Sequence, residues 1–355
     1  MAENILFLTG HLARPRLEAE LQGMKAGFGW KVLDIGVKVA ALVPEEIIAR
    51  RLTKPVEADR VMLPGRCRAD LERLSEKFGV PFVRGPDELK DIPQFFGRAA
   101  KAVDMTKYDI QIFAEIVDAS ALPVETIAKR AEDYCRKGAN VIDLGCLPDT
   151  PFPHLEEAVR ALKKKGCKVS VDSFDNDELL RGGKAGADYL LSLNEANLHI
   201  ADQVKSVPIL VPKDHGDMDS LYRAMDTLDA KGRDYLADPV LDPINFGFSA
   251  SLERYAELRR VRPKAEILMG TGNLTELTDA DTTGITAVLL GIASELHIRH
   301  VLVVQVSPHT RRTLEEHDMA RRLMYASREE HDLPKDYTDA LLSLHSKRPF
   351  PQDPE

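Results

Sequence analysis

Eight short apolar runs in the later two-thirds of the chain each end in residues able to accept or donate hydrogen bonds. In order, these ends are Asp118, Asp143, Asp172, Ser192 or Asn194, Lys213-Asp214-His215, Asp238 with Asp242, Asn273, and Gln305 with His309. Carboxylates and amides dominate the set, and hydrophobic members are almost absent. A single Asp after a strand is as readily the N-cap of the next helix. Six or more polar ends in step are harder to assign to capping alone. Such a ring suits a guest edged with N–H donors and acceptors, for example a 2-amino-4-oxo-pteridine, which a buried carboxylate can hold through two parallel hydrogen bonds.

The elements that must position these residues follow from the hydrophobic pattern. Candidate strands are IQIFAEIVDA, ANVIDLG, KVSVD, DYLLSLN, VPILVPK, DYLADPV, AEILMG and HVLVVQV. Amphipathic stretches over 124–137, 154–165, 176–184, 219–231, 251–261, 284–296 and 311–325 predict the helices between them, with a short fourth connection at 196–204. Eight strand–helix repeats predict a (β/α)₈ TIM barrel, whose active site is built from the loops after the strands. The first hundred residues show a shorter alternation: ILFLTG, a helix over 15–28, KVLDIG, a helix in PEEIIARRL, DRVMLPG, a helix in ADLERLSEKFG, PFVRG, and a helix over 86–96. This predicts a small open α/β domain of flavodoxin-like size with a parallel sheet. The expected division is an N-terminal α/β domain over 1–100, a polar linker over 101–108, the barrel over 109–327 and a polar extension over 328–355.

Composition narrows the function classes. The 355 residues are 44% hydrophobic and 30% charged, with a net charge of −9 and no basic stripe, which argues against a nucleic-acid surface. The four cysteines, Cys67, Cys135, Cys146 and Cys167, lack C-x-x-C spacing and read as reduced thiols. No run approaches the roughly 20 apolar residues of a membrane span, and ENILFLTG is too short and too acidic for a signal segment. A soluble, cytoplasmic protein is expected. His297 and His300 have no third ligand nearby for zinc, and neither LTGHLARP nor MGTGNL carries a full dinucleotide fingerprint.

GANVIDLG (138–145), KVSVDSFD (168–175), GADYLLSLNEAN (186–197) and LDPINFGFSASLERYAELRRV (241–261) resemble, in order and spacing, successive motifs of the dihydropteroate synthase family of pterin-binding barrels. The resemblance spans about residues 110–325. It implies a transferase joining a dihydropterin 6-methylene, with pyrophosphate leaving, to an arylamine. It implies that Asp143, Asp172, Asn194 and Asp242 hold the pterin and that Mg²⁺ assists, with Asp118 as the candidate ligand. Asp172 and Asp242, which stabilise positive charge as the C–O bond breaks, together with Asn273 form the candidate catalytic set. A homodimer and a place in one-carbon metabolism are also implied.

The chain departs from the family where anions are handled. The seventh strand ends in Gly270-Thr-Gly-Asn273 rather than Ser-Arg-Lys, and the eighth in Gln305-Val-Ser307 rather than Arg-x-His. Replacement cations are Lys213, His215, His309, Arg311 and Arg312. The N-terminal domain offers two loops with Gly at a strand end and Arg at a helix start, LTGHLARPRLE and LPGRCRADLE. These make Arg14, Arg16, Arg66 and Arg68 candidates for a phosphate at a helix N-terminus, or else solvent-facing charges. The whole chain resembles the divergent synthases of tetrahydromethanopterin biosynthesis in archaea and methylotrophic bacteria, which implies a ribofuranosylaminobenzene phosphate as the amine. Asn273 after a strand-end Gly also resembles pterin-dependent methyltransferases. A non-catalytic pterin-binding protein is the third alternative.

Overall fold

The computed structural model describes residues 3–24, 26–39, 43–98, 103–147 and 150–342. The chain divides into two compact units, residues 1–102 and 103–355.

In the first unit, β1 (Asn4–Thr9), α1 (Arg14–Gly23), β2 (Gly29–Asp34), α2 (Glu45–Arg51), β3 (Arg60–Leu63), α3 (Leu71–Phe78), β4 (Phe82–Arg84) and α4 (Ile92–Phe95) alternate. The sheet is parallel in the order β2-β1-β3-β4. Its two faces carry separate cores. Leu8, Val61 and Leu63 pack with Ile48, Leu74 and Phe78 of α2 and α3 on one side. On the other, Ile5, Phe7 and Met62 pack with Leu17, Leu21 and Ile92 of α1 and α4. This is the doubly wound arrangement expected of alternating side chains on a buried strand.

Two expected helices are shorter than their pattern. The first ends at Gly23 rather than near Phe28, because β2 begins at Gly29 to pair with Asn4 and the chain must turn between them. The expected helix over 86–96 is a 3₁₀ turn, Leu89–Asp91, followed by the short α4. Pro93 has no N–H for a carbonyl one turn back, so it can stand only in a first turn.

The second unit is a parallel eight-stranded barrel. Its strands are β5 (Gln111–Ile116), β6 (Val141–Gly145), β7 (Lys168–Asp172), β8 (Tyr189–Leu193), β9 (Val207–Leu210), β10 (Leu236–Ala237), β11 (Leu268–Gly270) and β12 (His300–Val304). The ladder runs β10-β9-β8-β7-β6-β5-β12-β11, and a parallel bridge from Ala237 to Ile267 closes it. The returning helices are α5 (Val124–Arg136), α6 (Leu155–Lys164), α7 (Asn176–Ala185), α8 (Met218–Ala230), α9 (Phe248–Val261), the short α10 (Gly272–Thr275) with α11 (Thr282–Glu295), and α12 (Thr313–Glu329). The fourth connection holds a 3₁₀ turn, Leu198–Asp202. The last helix outruns its expected end at Tyr325 by burying Ala326 and Ser327, so the expected extension from 328 begins inside it. Residues 343–355 of that extension, and 101–102 of the expected linker, lie outside the described residues.

Arg321 of α12 joins the last helix to the first two strands. Its guanidinium is fully buried and donates to the carbonyls of Ile110 and Gly138, to Asn140 Oδ1 and to Asp318, with Tyr108 stacked 3.5 Å from it. A buried charge is tolerated only when so fully partnered. Among the described residues no helix is long and apolar enough to cross a membrane.

Candidate functional site

Strand alternation decides what enters the barrel. Ile112, Ala114 and Ile116 of β5 belong to the core shared with the surrounding helices. Phe113 instead packs with Val141, Leu191, Ile209, Leu236 and Leu268 in the barrel interior. Two residues beyond Phe113 and Val141 on the same rows stand Glu115 and Asp143, which are paired in register. Asp172, at the end of β7, pairs with Gly145 one interior step further on. One carboxylate oxygen from each of Glu115, Asp143 and Asp172 lies within 4.8 Å of the others.

This cluster is electrostatically unsatisfied. Asp143 is 0% exposed, and neither of its carboxylate oxygens meets a hydrogen-bond partner. Cys146 N donates to the Asp172 carbonyl at 2.9 Å, but none of the described residues donates to its carboxylate. Burial, and then the charge of Asp143, push Glu115 well above the usual carboxylate range. Burial raises Asp143 as well, against the nearby Ser170 hydroxyl, which acts to lower it but makes no hydrogen bond of regular geometry with it. Asp172 is raised by burial first and then by Asp143, Glu115 and Asp238. Three such groups cannot all be charged in a protein interior without a cation or a set of N–H donors between them. Their oxygen-only donor set fits a hard divalent ion such as Mg²⁺.

Asp238 follows β10 and is pushed up to about 6 by burial, although Tyr255 OH at 2.6 Å and Val240 N at 2.8 Å both donate to its Oδ1. Tyr255→Phe removes a donor to the charged form. It should cost about 1–3 kcal/mol at pH 8 and less at pH 5, where Asp238 is largely protonated. Urea denaturation at the two pH values measures this; equal losses would mean that the hydroxyl serves packing alone.

Asp242 is placed differently from the cluster. Its Oδ1 accepts from His215 Nε2 at 2.8 Å and its Oδ2 from Arg254 Nη2 at 2.8 Å. Burial acts to raise it, but these two hydrogen bonds prevail and hold it below the usual range. Arg254 also donates to the carbonyls of Pro239 and Val240. Val240 is β-branched yet has φ of +66°, a strained conformation that needs such fixing. Gly247 is required close by, since with φ of +119° a Cβ there would lie 2.7 Å from Asp242 Oδ2.

Several expected residues serve other ends. Asp118 is paired with Arg130 at 2.6 Å and stands apart from the cluster, so Glu115, not Asp118, completes the only acidic triad found among the described residues. Asn194 uses Oδ1 to cap its own turn at Ala196 N. Asn273 donates Nδ2 to the Leu241 carbonyl at 2.7 Å, holding the Asp242 loop. Lys213 lies 4.0 Å from Glu195, and His309 Nε2 lies 3.0 Å from the Thr275 carbonyl.

The N–H groups after β12 already hold an anion, the carboxylate of Glu276. It accepts from Val306 N at 2.6 Å, Ser307 N at 3.1 Å and Thr310 Oγ1 at 2.6 Å. Arg311 and Arg312 beyond it are exposed and have no ion pair among the described residues. In the first unit Arg14 pairs with Glu18 at 2.8 Å, Arg16 with Glu20 at 3.8 Å and Arg66 with Glu88 at 2.6 Å. Each of the three therefore has an acid beside it within the unit, and of the four expected phosphate ligands Arg68 has no ion pair among the described residues.

Glu115, Glu276, Arg254 and Tyr255 were not among the expected residues. The first had a signal, a lone acid on the interior row two residues beyond Phe113. The others act across the fold, and no local pattern marks them.

Residues 3–87 match a family of unknown function, DUF6513. An uncharacterized protein of Methanocaldococcus jannaschii is 24% identical over an alignment of 419 positions, covering 97% of this chain and 78% of its own. Among solved structures, the dihydropteroate synthase of Yersinia pestis aligns with 64% of this chain and 95% of its own at 18% identity and a TM-score of 0.48. The 7,8-dihydropteroate synthase of Vibrio fischeri aligns with 63% and 94% at 15% identity and a TM-score of 0.47.

Proposed function

We propose that the barrel binds a reduced pterin at its C-terminal mouth and joins the pterin 6-methylene to an arylamine, with pyrophosphate leaving. The observation that carries this reading is Asp143, fully buried with both oxygens unpartnered beside Glu115 and Asp172. The order of the sequence motifs supports the same guest.

In this reading Glu115, Asp143 and Asp172 would hold Mg²⁺, which would supply positive charge to a leaving pyrophosphate. Asp172 and Asp238 face the guest as acceptors for its N–H edge. Asp242 offers a further acceptor: His215, with its side chain 69% exposed, occupies Oδ1 and can give way to a 2-amino group. These fixed carboxylates orient the ring and stabilise positive charge as the C–O bond breaks. Phe174 and Phe246, 84% and 78% exposed on the loops after β7 and β10, offer faces to an aromatic amine. For an amine bearing a ribose phosphate, of the tetrahydromethanopterin kind, Arg311 and Arg312 are the free cations near the start of α12.

A second reading, a pterin protein that carries its guest or passes on a methyl group, is favoured by Glu276. Its carboxylate fills the N–H groups after β12 that an incoming anion would use.

The test is a pyrophosphate-release assay with 6-hydroxymethyl-dihydropterin pyrophosphate, Mg²⁺, and either p-aminobenzoate or its ribofuranosyl phosphate derivative. Release that requires the amine, and is lost in Asp172→Asn, is expected. Absence of release with tight pterin binding would withdraw the synthase reading and leave the second.

A further inference from the structure

The first unit contains a cavity that the barrel chemistry does not use. Its sheet order, β2-β1-β3-β4, changes direction between β1 and β3, so the loops leaving those two strands part at their C-terminal ends. Open α/β sheets bind ligands in the crevice at this point. Here the crevice is a cavity of about 210 Å³. Phe7, Leu17, Met62, Leu63, Leu89 and Ile92 give it an apolar floor and walls.

The walls are fixed by close backbone approach. A Cβ on Gly65 would lie 2.6 Å from the Pro86 carbonyl carbon, so the loops after β3 and β4 meet main chain to main chain. Leu12 and Val39, at the rim, are 74% and 49% exposed, large apolar side chains with nothing over them among the described residues. Polar groups are few. The Thr9 hydroxyl, on a buried residue, reaches only its neighbour's carbonyl at 3.5 Å. Asp87 lies 3.8 Å from Arg66. Lys38 is exposed and makes no ion pair with a described residue, leaving one uncompensated cation at the mouth.

We propose that this cavity binds a small aryl carboxylate, its ring on the apolar floor and its carboxylate between Lys38 and the Thr9 hydroxyl. Size supports a ring: an apolar cavity of about 150 Å³ is enough for benzene, and this one leaves room for a substituent. Charge supports a single anionic group: Lys38 is the lining cation with no ion pair among the described residues, while the lining's acid, Asp87, already lies near Arg66. The site is separate from the barrel carboxylates and does not depend on their function.

The experiment uses the full chain and benzoate as the probe, with benzamide and acetate as controls. Trp30 is the only tryptophan and packs against the cluster of Phe7, Leu17, Met62 and Ile92. Its fluorescence therefore reports on this unit, and calorimetry gives the affinity. Benzoate should bind saturably with a change in Trp30 emission, benzamide should bind roughly threefold or more weakly, and acetate should not bind. Lys38→Gln, on an exposed residue, should make benzoate and benzamide equal. Ala13→Phe, which fills the cavity from its partly exposed edge without adding a second tryptophan, should abolish the response while the melting temperature stays that of the native protein. Benzoate binding unchanged in Ala13→Phe, or no fluorescence response at saturating benzoate, would overturn the proposal. Should Ala13→Phe fail to fold, Lys38→Gln decides: an undiminished preference for benzoate overturns the assigned site.

Discussion

Asp143→Asn should raise the melting temperature of the ligand-free protein at pH 8 by about 4–8 °C, while abolishing its affinity for Mg²⁺ and for the pterin. Native carboxylates are rarely better removed, but this one is fully buried with no donor on either oxygen, and Glu115 and Asp172 stand beside it. Asparagine keeps the shape, removes one buried charge and supplies an N–H₂ group to its neighbours. A shift of two pKa units is worth about 3 kcal/mol, and a unit at the upper end of about 150–250 residues gains about 2 °C per kcal/mol, or about 6 °C. The sign of the pH dependence follows. Glu115, Asp143, Asp172 and Asp238 all have raised values in the fold. Their contribution to stability is therefore complete below the unfolded carboxylate values of about 4 and is lost as pH rises through the folded ones, which for Asp238 is about 6. The ligand-free protein should melt higher at pH 5 than at pH 8. Mg²⁺ at pH 8 should recover much of the difference in the native chain and none of it in Asp143→Asn. Scanning calorimetry at the two pH values, with and without Mg²⁺, measures all of this. A lower melting temperature in Asp143→Asn would mean that the carboxylate has a partner in solution, and the cluster would lose its claim as the guest's site.

The sequence made some of this legible and not the rest, for reasons that lie in particular residues. Period-two runs such as VIDLG and KVSVD, separated by helices with one apolar face, determine a barrel locally. Its strands therefore stand where the pattern placed them, and so do its helices apart from the short α10 and the longer end of α12. Asp172 was visible because it ends its strand, where such barrels keep their chemistry, and Asp143 because it stands in the motif GANVIDLG. Glu115, paired in register with Asp143, lies in no such motif and was passed over in favour of Asp118, which the fold gives to Arg130. Which of the candidate cations stand beside an acid was hidden for a different reason. Arg14, Arg16 and Arg66 were identified by loop type, but whether a cation is free depends on acids brought to it. Glu18 and Glu20 are a helical turn away, and Glu88 arrives from the loop after β4. Likewise the N–H groups after β12 are filled by Glu276, which lies just beyond α10. Charge compensation is a tertiary property, and spacing does not contain it.

Arg254→Met should cost about 3–5 kcal/mol at pH 7, the range found when one partner of a buried ion pair is removed. Two losses combine in it. Asp242 would keep only His215 as a donor, and the carbonyls of Pro239 and Val240 would lose the guanidinium that holds them. Val240, with φ of +66°, then has less to oppose its return to an ordinary conformation. Arg254→Lys should recover only part of the loss, because an ammonium cannot bridge two carbonyls and a carboxylate as the planar guanidinium does. The pH dependence separates the charge from the loop. Asp242 is held below its ordinary value in the fold, so the stability it contributes is present above the unfolded value of about 3.9 and is lost as pH falls through the folded one. In Arg254→Met the larger part of that contribution is already gone, and only the part due to His215 is left. Its deficit relative to the native protein should therefore shrink as pH falls below about 4, where a proton can neutralise the stranded carboxylate. Urea denaturation at pH 7 and pH 3.5 supplies both numbers. A deficit under about 1 kcal/mol at pH 7 would be that of an exposed pair and would mean that water reaches Asp242 without Arg254. A full deficit unchanged at pH 3.5 would place the cost in the strained loop rather than the charge. In either case the pterin affinity of the same variant then tells whether Asp242 acts on the guest directly or only by holding the wall against which it lies.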